Sequence, residues 1–338
     1  MLSINSSKMC VGTKVPFGAK VFILGGDFYQ ILPVTPKSPR AGIVENCLKA
    51  SPLWPHFQTY SLTQNMRAND DQLFSDWLLE LGKGTLPCPN DALPESIIIP
   101  RECNIVEGNI VDAVFGGIAQ ANFVSTVILT PTNECSLQLN EQVLALLDGE
   151  AKTYFSADCA NFEGGSHVTS YPVEFLHTIT PSGMPPHKLT LKVGAIIMLL
   201  RNLDIRMGLC NGTRLIIRRL FTNILDAEII TSVHRGHRVL IPRIKLAPSD
   251  VALPFTLQRV QFPIRLAYSM TINKAQGQTF QRLGIYLPTP VFSHGQLYVA
   301  FSRARTFDST YVKVDDMSLQ GHTQAGTVTQ NIVFKDVL

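Results

Sequence analysis

The sequence predicts an α/β protein whose parallel strands place polar residues at one edge of a sheet. An apolar run at Phe262–Ala267 leads into a polar loop at Ser269–Thr279 and then into a second strand at Leu283–Leu287. Val124–Leu129 is rich in β-branched residues and precedes a polar turn and a helical pattern. Ala19–Leu24 is apolar and ends in Gly-Gly-Asp. Strands, polar turns and helices in this order are typical of an open parallel sheet, whose carboxyl edge binds ligands.

Length and composition indicate an ordinary globular protein. The chain has 338 residues, 45% hydrophobic and 16% charged, which is enough for two domains with hydrophobic cores. No apolar run is as long as a membrane span, and residues 1–30 lack the basic, apolar and small-residue order of a signal peptide. We therefore expect an intracellular protein without a membrane partner.

Cysteine and histidine usage gives no metal signature. The seven cysteines are scattered without a CxxC pair, which favours reduced thiols over a disulfide framework or a zinc site. His234 and His237 are spaced so that both could bind a metal, but no cysteine is near them in the sequence. We expect a surface loop at this pair and no metal site.

Charge is distributed unevenly along the chain although the net charge is only +3. Between Lys192 and Lys245, ten Lys and Arg residues stand against three acids, whereas Asp70–Asp112 has nine acids against two bases. This asymmetry favours a protein with one basic face that binds a polyanion and an acidic face that lies away from the polyanion. The alternative is that the two segments neutralise each other across an interface.

The first third of the chain contains several short predicted elements. Met1–Gly18 is polar and without periodicity, which predicts a loop, and Ala19–Leu24 is expected to be a strand. The Gly-Gly-Asp that follows it is by itself most simply a turn. Val44–Trp54 is expected to form a short helix and Phe57–Leu62 another strand.

A longer helix is predicted next. Asp70 and Asp71 favour its start, and Gly82 and Gly84 are expected to end it. Its apolar stripe, which we interpret as core, consists of Leu73, Phe74, Trp77, Leu78 and Leu81.

The middle of the chain begins with the strand at Val124–Leu129. The helical pattern after it runs through Leu137, Val143 and Leu147. Gly149–Lys188 is expected to be irregular, because Gly164-Gly165 and a Pro-rich stretch mark loops. We assign it no chemistry.

Short β-rich runs then predict a small barrel. A buried strand at Leu191–Leu200 is followed by runs at Thr213–Arg219, Leu225–Thr231 and Val239–Ile244, with turn signals between them. The local basic excess suits a polyanion. No aromatic platform is evident, so base stacking is not expected here.

The last predicted helix starts at Ser293 as its N-cap. Leu297, Ala300 and Phe301 face the core, and two arginines, Arg303 and Arg305, occupy the last turn. These arginines either bind a phosphate-bearing ligand or only satisfy the helix C-terminus.

Five separate segments, in the same order along the chain, resemble helicase motifs. They are GGDFYQILPV at 25–34, LTQNMR at 62–67, TPTN at 130–133, TINKAQGQT at 271–279 and VAFSRAR at 299–305. The sequences of these segments resemble those of the superfamily-one DNA helicases of the petite-integration-frequency (PIF) family. The wider match, including PVFSHGQLYVAFSRA, is most similar to the helicase half of eukaryotic Helitron transposon proteins. The resemblance extends from about Pro16 to the end.

The resemblance implies an ATP site. It assigns catalytic roles to Gln30, Arg67 and Arg303 and nucleotide binding to Asp27, Gln276 and Gly277. The glutamine at position 30 would sense the terminal phosphate, and the arginines would clamp it through the fixed fork of their guanidinium groups. ATP and Mg²⁺ are the implied cofactors.

The resemblance also implies a track for single-stranded or forked DNA. It assigns DNA contacts to Thr132, Asn133, Thr271, Lys274 and Thr279, and the basic excess adds Arg214, Arg218 and Arg219. The threonine and asparagine at 132 and 133 also suit a purely structural role as helix caps.

The fold implied by the resemblance is a RecA-like P-loop NTPase helicase fold. Residues 1–66 would be the C-terminal remnant of a first RecA-like domain. Residues 67–205 and 255–338 would form a complete second RecA-like domain, and residues 206–254 an inserted SH3-like β-barrel that lies beside the exiting strand.

Two motifs of such helicases have no counterpart in this sequence. No GxxxxGK[ST] occurs, and no paired Asp-Glu for magnesium precedes Asp27. In the family both lie upstream of the third motif. We therefore expect a fragment of a 5′ to 3′ DNA helicase, linked to recombination, repair, telomere maintenance or transposition, that is inactive as an ATPase alone and partnered by the N-terminal helicase half. The alternative is a non-catalytic DNA-binding remnant of a transposon. The expected location is the nucleus, with the mitochondrion as the alternative.

Overall fold

The computed structural model describes residues 21–33, 35, 38–68, 71–90, 92–161, 171–181, 183–231, 233–248 and 254–338. The expected loop at Met1–Gly18, the start of the predicted strand at Ala19, the helix signal at Asp70 and the turn at Gly164-Gly165 lie outside these residues. No helix among the described residues is long and apolar enough to cross a membrane.

Six α-helices and eighteen strands are described. The helices are α1 (Arg40–Glu45), α2 (Gln72–Lys83), α3 (Ile110–Phe115), α4 (Asn133–Ala145), α5 (Val173–Thr178) and α6 (Gln296–Phe301). The strands are β1 (Ser96–Ile98), β2 (Asn104–Ile105), β3 (Thr126–Thr130), β4 (Lys152–Phe155), β5 (Ala157–Asn161), β6 (Lys188–Leu191), β7 (Ile196–Leu199), β8 (Arg214–Leu220), β9 (Ile224–Ile229), β10 (Arg238–Pro242), β11 (Ile244–Leu246), β12 (Thr256–Gln261), β13 (Ile264–Leu266), β14 (Ser269–Thr271), β15 (Arg282–Leu287), β16 (Thr310–Val314), β17 (Gly321–Thr323) and β18 (Gly326–Gln330).

A five-stranded parallel sheet with the order β14-β3-β15-β16-β2 lies at the centre of the fold. β3 is buried along its whole length, and β14 and β15 are mostly buried, as expected for parallel strands that are covered by other elements on both faces. The prediction of an α/β fold with a parallel sheet is confirmed. Because the strands are parallel, the segments that follow β3 and β14 leave the sheet at the same edge.

The strand predicted at Phe262–Ala267 corresponds to β13, and the polar loop predicted after it begins with a further strand, β14. β13 pairs antiparallel with β7, whereas β14, three residues further along, pairs parallel with β3. The sequence indicated a polar loop from Ser269 onward, which is wrong for the residues of β14. Ser269 and Thr271 are small and tolerate burial in a strand, and their backbone pairs with Ile128 and Thr130.

Asn140 on α4 fixes the start of β14 through its side-chain amide. Its Oδ1 accepts hydrogen bonds from the backbone N–H groups of Tyr268 and Ser269, both at 2.9 Å. Its Nδ2 donates to the carbonyls of Ser136 and Ser269, both at 2.8 Å. All four partners and Asn140 itself are buried, so this amide supplies hydrogen bonds that no water can replace.

Asn140→Leu is expected to lower the free energy of unfolding by at least about 2 kcal/mol. The reason is that two buried backbone N–H groups lose their acceptor, at about 1–3 kcal/mol for each buried group left unsatisfied. Urea unfolding measures the change. The control is Gln138→Leu at an exposed position of the same helix; an equal loss in both variants would contradict the role of the amide.

A second, antiparallel region is inserted between α4 and β14. It contains a five-stranded sheet, β10-β9-β8-β7-β13, a three-stranded sheet, β11-β12-β5, and the pair β4-β6. The predicted runs at residues 213–219, 225–231 and 239–244 are confirmed as strands. The predicted strand at 191–200 is interrupted by a turn, and the expectation that Gly149–Lys188 is irregular is wrong, because β4, β5 and α5 lie in it. These strands pair with partners far along the chain, which local pattern does not reveal.

A buried ion pair ties β5 to β12. Arg259 donates to both carboxylate oxygens of Asp158 at 2.9 and 2.6 Å, and both side chains are fully buried. Arg259 also donates to the carbonyls of Pro185 and Leu176. Burial would raise the pKa of Asp158, but the hydrogen bonds from Arg259 and Ser156 outweigh it and hold that pKa below its usual value.

Residues 21–66 form no described strand. The expected strands at Ala19–Leu24 and Phe57–Leu62 are wrong for the residues described: Val21 and Ile23 are each 91% exposed and Leu62 is fully exposed. A strand needs hydrogen-bonded neighbours, and no described strand lies beside these segments. The helix expected at Val44–Trp54 is instead α1 followed by 3₁₀ turns at Leu48–Ala50 and Trp54–His56.

Helix α2 begins and ends where its end signals indicate. Asp71 is the N-cap and accepts a hydrogen bond from the Phe74 N–H, and Gly84 adopts the left-handed C-cap conformation. Phe74, Leu78 and Leu81 are buried as predicted, but Leu73 is 79% exposed. Leu73 and Phe74 are consecutive, so their side chains are about 100° apart around the helix, and only that of Phe74 faces the core.

Candidate functional site

Asp27 and Gln30 lie in a tight loop against α6. Asp27 accepts hydrogen bonds from the Tyr29 N–H at 2.9 Å, from the Gln30 side chain at 3.2 Å and from the Tyr298 hydroxyl at 3.2 Å. The Gln30 Oε1 atom accepts a 3.4 Å bond from Gln276, which follows β14. The structure thus brings together residues that the sequence places about 250 positions apart.

Arg67 reaches the same place from a third segment. Its Nε donates to the Thr279 hydroxyl at 2.7 Å, and its Nη1 donates to the Ser302 carbonyl at 2.9 Å. A guanidinium has five N–H donors, so three remain for a ligand. Burial is the main reason that the pKa of Arg67 is lowered, with Tyr298 opposing it. An anion beside Arg67 would offset the cost of burying its charge.

Arg303 is buried, and three of its donors bond the protein. Its Nε donates to the Val299 carbonyl, its Nη1 to the Gln278 carbonyl and its Nη2 to the Ser302 hydroxyl, at 2.7–3.1 Å. Its pKa is lowered to about 10, first by burial and then by the positive charge of Arg67. Only 2% of Arg303 is exposed. Arg303 therefore orders the segment that carries Thr279, and Arg67 is the better placed of the two to contact a ligand.

The last helix, α6, differs from its prediction at both ends. Gly295, not Ser293, is the N-cap of α6, and the helix ends at Phe301 before both arginines. Beyond the helix, Arg303 is buried and Arg305 is exposed. The prediction that both arginines occupy the last helical turn is therefore wrong.

A cavity of about 760 Å³ opens beside Arg67. Its lining consists of Asp27, Leu62, Gln64, Asn65, Met66, Arg67, Ala68, Thr279, Arg305 and Thr306. Sequence reasoning left two roles open for Arg305, as a group that binds a phosphate-bearing ligand or as a partner of the helix C-terminus, and its place in the cavity lining favours the first. It assigned no role to Asn65 or Tyr298. Asn65 belongs to the LTQNMR segment, which is the signal that could have identified it.

Lys274 belongs to a group of cations on the other side of the β14 loop. Its pKa is lowered to about 8 by burial and by the positive charges of Arg265 and Arg201. Arg265 is buried and bonds the Asn133 side chain at 3.2 Å, and Arg201 donates to the Ala247 carbonyl at 3.0 Å. A cluster of like charges is relieved by an anion, so this group suits a phosphate.

The polar residues expected to contact DNA have different positions. Thr132 is exposed and caps α4 through the Cys135 N–H, and Asn133 is exposed beside Arg265. Thr271 is buried at the end of β14 and offers little surface to a ligand. Thr279 accepts a hydrogen bond from Arg67 and lines the cavity, and its expected DNA contact stays a prediction.

The three arginines that were expected to contact DNA because of the basic excess also differ in burial and pairing. Arg214 is fully enclosed: its Nη atoms donate to the Val124 and Ala267 carbonyls, and burial lowers its pKa to about 10. The expected DNA contact of Arg214 is therefore wrong, because its side chain faces the core. Arg218 is exposed but pairs with Glu228 at 2.9 Å. Arg219 is exposed on the same strand.

Two family models match this chain. One, described as PIF1-like helicase, matches residues 2–92, and the other, the 2B domain of the DNA helicase Pif1, matches residues 174–220. The ATP-dependent DNA helicase PIF1 of Danio rerio is 27% identical over 309 residues, which is 88% of this chain.

The chain is thus similar to PIF1-like helicases over most of its length. A Pif1 helicase of Bdellovibrio bacteriovorus is 27% identical over 90% of the PIF1-like chain and 61% of its own length. The chain spans less than half the length of the first curated relatives that it matches, 41% for the Danio rerio protein and 45% for that of Xenopus laevis.

Solved structures of Pif1 helicases have the same fold. The Candida albicans Pif1 helicase matches 94% of this PIF1-like chain with a TM-score of 0.63 and 23% identity, covering 68% of that structure. Bacteroides Pif1 bound to ssDNA matches with a TM-score of 0.65 and 21% identity, over 94% of this chain and 67% of its own. The fold of the PIF1-like chain is accordingly RecA-like.

The cavity fits the phosphates of ATP better than a magnesium ion. Arg67 and Arg305 supply donors for phosphate oxygens, whereas Asp27 is the only carboxylate among the described lining residues and already accepts three hydrogen bonds. Mg²⁺ prefers several oxygen ligands. We derive no step through Mg²⁺ from this site.

One group of possible metal ligands occurs elsewhere in the described residues. Ligand atoms of Asp158, His177 and His187 lie within 4.8 Å of one another. The carboxylate of Asp158 is already used by Arg259 and Ser156. The guanidinium charge beside it disfavours a cation, so we interpret this group as structural.

Proposed function

We propose that this chain completes the ATP site and supplies part of the DNA track of an ATP-dependent 5′ to 3′ DNA helicase. In this proposal residues up to about 66 are the edge of a first RecA-like domain. The later residues form the second RecA-like domain, and the inserted strands form its SH3-like barrel. DNA repair, recombination, telomere maintenance or transposition would be the processes served, in the nucleus.

The observation that carries this proposal is the convergence of four segments on one cavity edge. Asp27 and Gln30, Arg67, Thr279 and the residues after α6 are hydrogen-bonded to one another or to shared partners. Asp27 contributes a carboxylate, Gln30 an amide and Arg67 a guanidinium with donors to spare. Positioning and charge account for most of the catalysis of phosphoryl transfer, and these are the groups that can supply both.

Gln30 would link the bound phosphate to the rest of the chain. Its side chain lies between Asp27 and Gln276, so a change at the phosphate is transmitted to the segment after β14. Lys274 lies in that same segment, three residues after the end of β14. Gly277 has a φ of +79°, which only a glycine adopts easily and which lets this segment turn sharply.

The DNA partner is proposed from the cation cluster. Lys274, Arg265 and Arg201 present positive charge beside the exposed Asn133. Bacteroides Pif1, the structural neighbour named above, was solved with ssDNA. We propose that the phosphates of a single strand neutralise this cluster in our chain.

The experiment that tests the proposal measures both partners on the purified chain. We expect single-stranded DNA to bind, as measured by fluorescence anisotropy, and to bind less tightly to Lys274→Gln. Without a GxxxxGK[ST] segment we expect ATP turnover no faster than background. Turnover that Gln30→Ala abolishes would contradict the expected inactivity, and an absence of DNA binding would contradict the DNA track.

The alternative, a DNA-binding protein without catalysis, is supported by one observation in the sequence. No phosphate-binding loop occurs in the 338 residues. A chimera that places the phosphate-binding segment of a PIF1-like relative before this chain separates the two. DNA-stimulated turnover in the chimera supports the helicase reading, and DNA binding without turnover supports the alternative.

Charge reversal at Arg219 is expected to flatten the salt dependence of DNA binding. Each lost phosphate contact reduces the slope of log affinity against log salt by about 0.7 for a single strand. Arg218→Glu should have a smaller effect, because that side chain is already paired with Glu228. An unchanged slope for Arg219→Glu would place the DNA track elsewhere on the chain.

A further inference from the structure

The loop that carries Asp27 and Gln30 is held by residues at the start of α6. The Phe28 carbonyl lies 2.8 Å from Nε2 of His294, and the Tyr298 hydroxyl bonds Asp27. No described strand pairs with this loop. Its position relative to Arg67 and Gln276 therefore depends on these side-chain contacts.

The two hydrogen bonds of His294 determine where its ring proton lies. The Phe334 N–H can only donate, and it lies 2.8 Å from Nδ1, so Nδ1 is the acceptor. Nε2 then carries the proton and donates it to the Phe28 carbonyl. The ring is 1% exposed and stacks on Phe334 at a centroid distance of 5.4 Å. A neutral imidazole thus bridges two segments that are about 300 residues apart in the sequence.

Gly295 brings the helix start into contact with the same loop. Its φ is +66°, and a Cβ at this position would overlap the Tyr29 carbonyl oxygen and approach the Gln30 backbone. Only a glycine satisfies both the left-handed conformation and this close approach. The adjacent Tyr298 ring packs edge-on against Tyr29 at 5.8 Å.

We propose that His294 is a positioning residue that latches the Asp27–Gln30 loop onto the start of α6 and to the segment at Phe334. The latch keeps Gln30 beside Gln276 and Asp27 beside Tyr298. Because α6 also leads to Arg303 and Arg305, the loop and the arginines move as one body while the latch is closed. The loop can leave α6 only when the bond between His294 and the Phe28 carbonyl and the bond between Tyr298 and Asp27 break.

Protonation of His294 would break the latch. The direction of this pH effect follows from the geometry of the two hydrogen bonds of the ring. Burial is the largest cause of the lowered pKa of His294; the Phe28 carbonyl and Asp27 raise this pKa, and Arg40 lowers it. Asp336, from the C-terminal segment, faces Arg40 at 3.7 Å. A protonated Nδ1 would face the Phe334 N–H donor. The latch is therefore intact above the ordinary histidine pKa and is lost as pH falls through the lowered value.

Hydrogen exchange on the full chain tests the latch. In His294→Phe, which keeps an aromatic ring beside Phe334, we expect the amides of residues 28–31 and 334 to exchange about tenfold faster or more, since two buried hydrogen bonds are lost. His294→Gln can supply one donor and one acceptor and should restore part of the protection. His322→Phe, at an exposed histidine bonded to Asp316, is the control and should change none of these amides.

Two further readouts separate a latch from a general core role. Protection factors of these amides should fall in the wild-type chain as the pH is lowered below the ordinary histidine pKa, and they should stay flat in His294→Phe. Gly295→Ala, which leaves the imidazole in place, should speed exchange in the same residues. Unchanged exchange at 28–31 in His294→Phe, or equal acceleration in β3, would overturn the proposal.

This inference rests on the proposed function only for the role of Gln30. None of the exchange measurements uses nucleotide or DNA. A chain that fails to bind DNA while His294→Phe still frees the loop would refute the helicase proposal and leave the latch intact.

Discussion

Replacing Arg67 by glutamine is expected to lower ATP turnover about a thousandfold or more in the chimera that supplies a phosphate-binding segment. Arg67 lines the cavity and has donors that the protein does not use. Glutamine keeps a polar side chain but removes the charge and the fork. The measurement is steady-state turnover with saturating single-stranded DNA.

The controls for Arg67 distinguish chemistry from folding. Arg206→Gln removes an exposed arginine and should leave turnover unchanged. Arg303→Gln should lower both turnover and the midpoint of thermal unfolding, because this side chain is buried and bonds three protein groups. Turnover near the wild-type value in Arg67→Gln would remove this residue from the nucleotide site.

Replacing Arg259 by methionine is expected to lower the free energy of unfolding by about 3–5 kcal/mol. The carboxylate of Asp158 would stay buried without its main partner, which costs more than the lost attraction itself. Leu176 and Pro185 would also lose a donor to their carbonyls. Chemical denaturation followed by circular dichroism measures the loss.

A second ion pair in the insert provides the matched control for Arg259. Arg238 bonds Asp226, but its side chain is 49% exposed, so Arg238→Met should cost less than about 1 kcal/mol. The double variant Arg259→Met with Asp158→Leu should regain most of the stability, since no uncompensated charge remains. If Arg259→Met and Arg238→Met lowered the free energy of unfolding equally, burial of the Arg259–Asp158 pair would not increase the cost of breaking it.

Arg67 and Arg259 lie in different surroundings. The cavity edge has cations with unused donors, as a site for an anion requires, whereas the insert uses a buried cation whose partner is already present. Arg67 and Arg259 are therefore not interchangeable although both are partly or wholly buried.

The five motif segments could be recognised from the sequence because they depend on local order. Strand, polar turn and helix follow one another within about twenty residues at β3 and α4, and the caps of α2 and α4 are single residues next to the helices that they start. Apolar periodicity and cap chemistry are short-range properties, so the sequence alone determined the α/β class, these helices and the strands of the five-stranded sheet in the insert.

The sequence could not predict which individual arginines are buried and which face solvent. Arg214 and Arg219 lie on the same strand, but one faces the core and bonds two distant carbonyls while the other faces solvent. Strand geometry alternates the faces, yet which face is buried depends on the sheet that packs there. Counting charges from Lys192 to Lys245 therefore overestimated the surface available to DNA.

The tertiary structure alone decided how the site is assembled and what holds it. The sequence determined which segments carry the glutamines, arginines and glycines, because these residue types recur in recognisable order. It did not reveal that Thr279 serves Arg67, that Arg303 is enclosed, or that His294 joins Phe28 to Phe334. Those relations join residues separated by 40 to nearly 270 positions, and only chain packing brings such groups within hydrogen-bond distance.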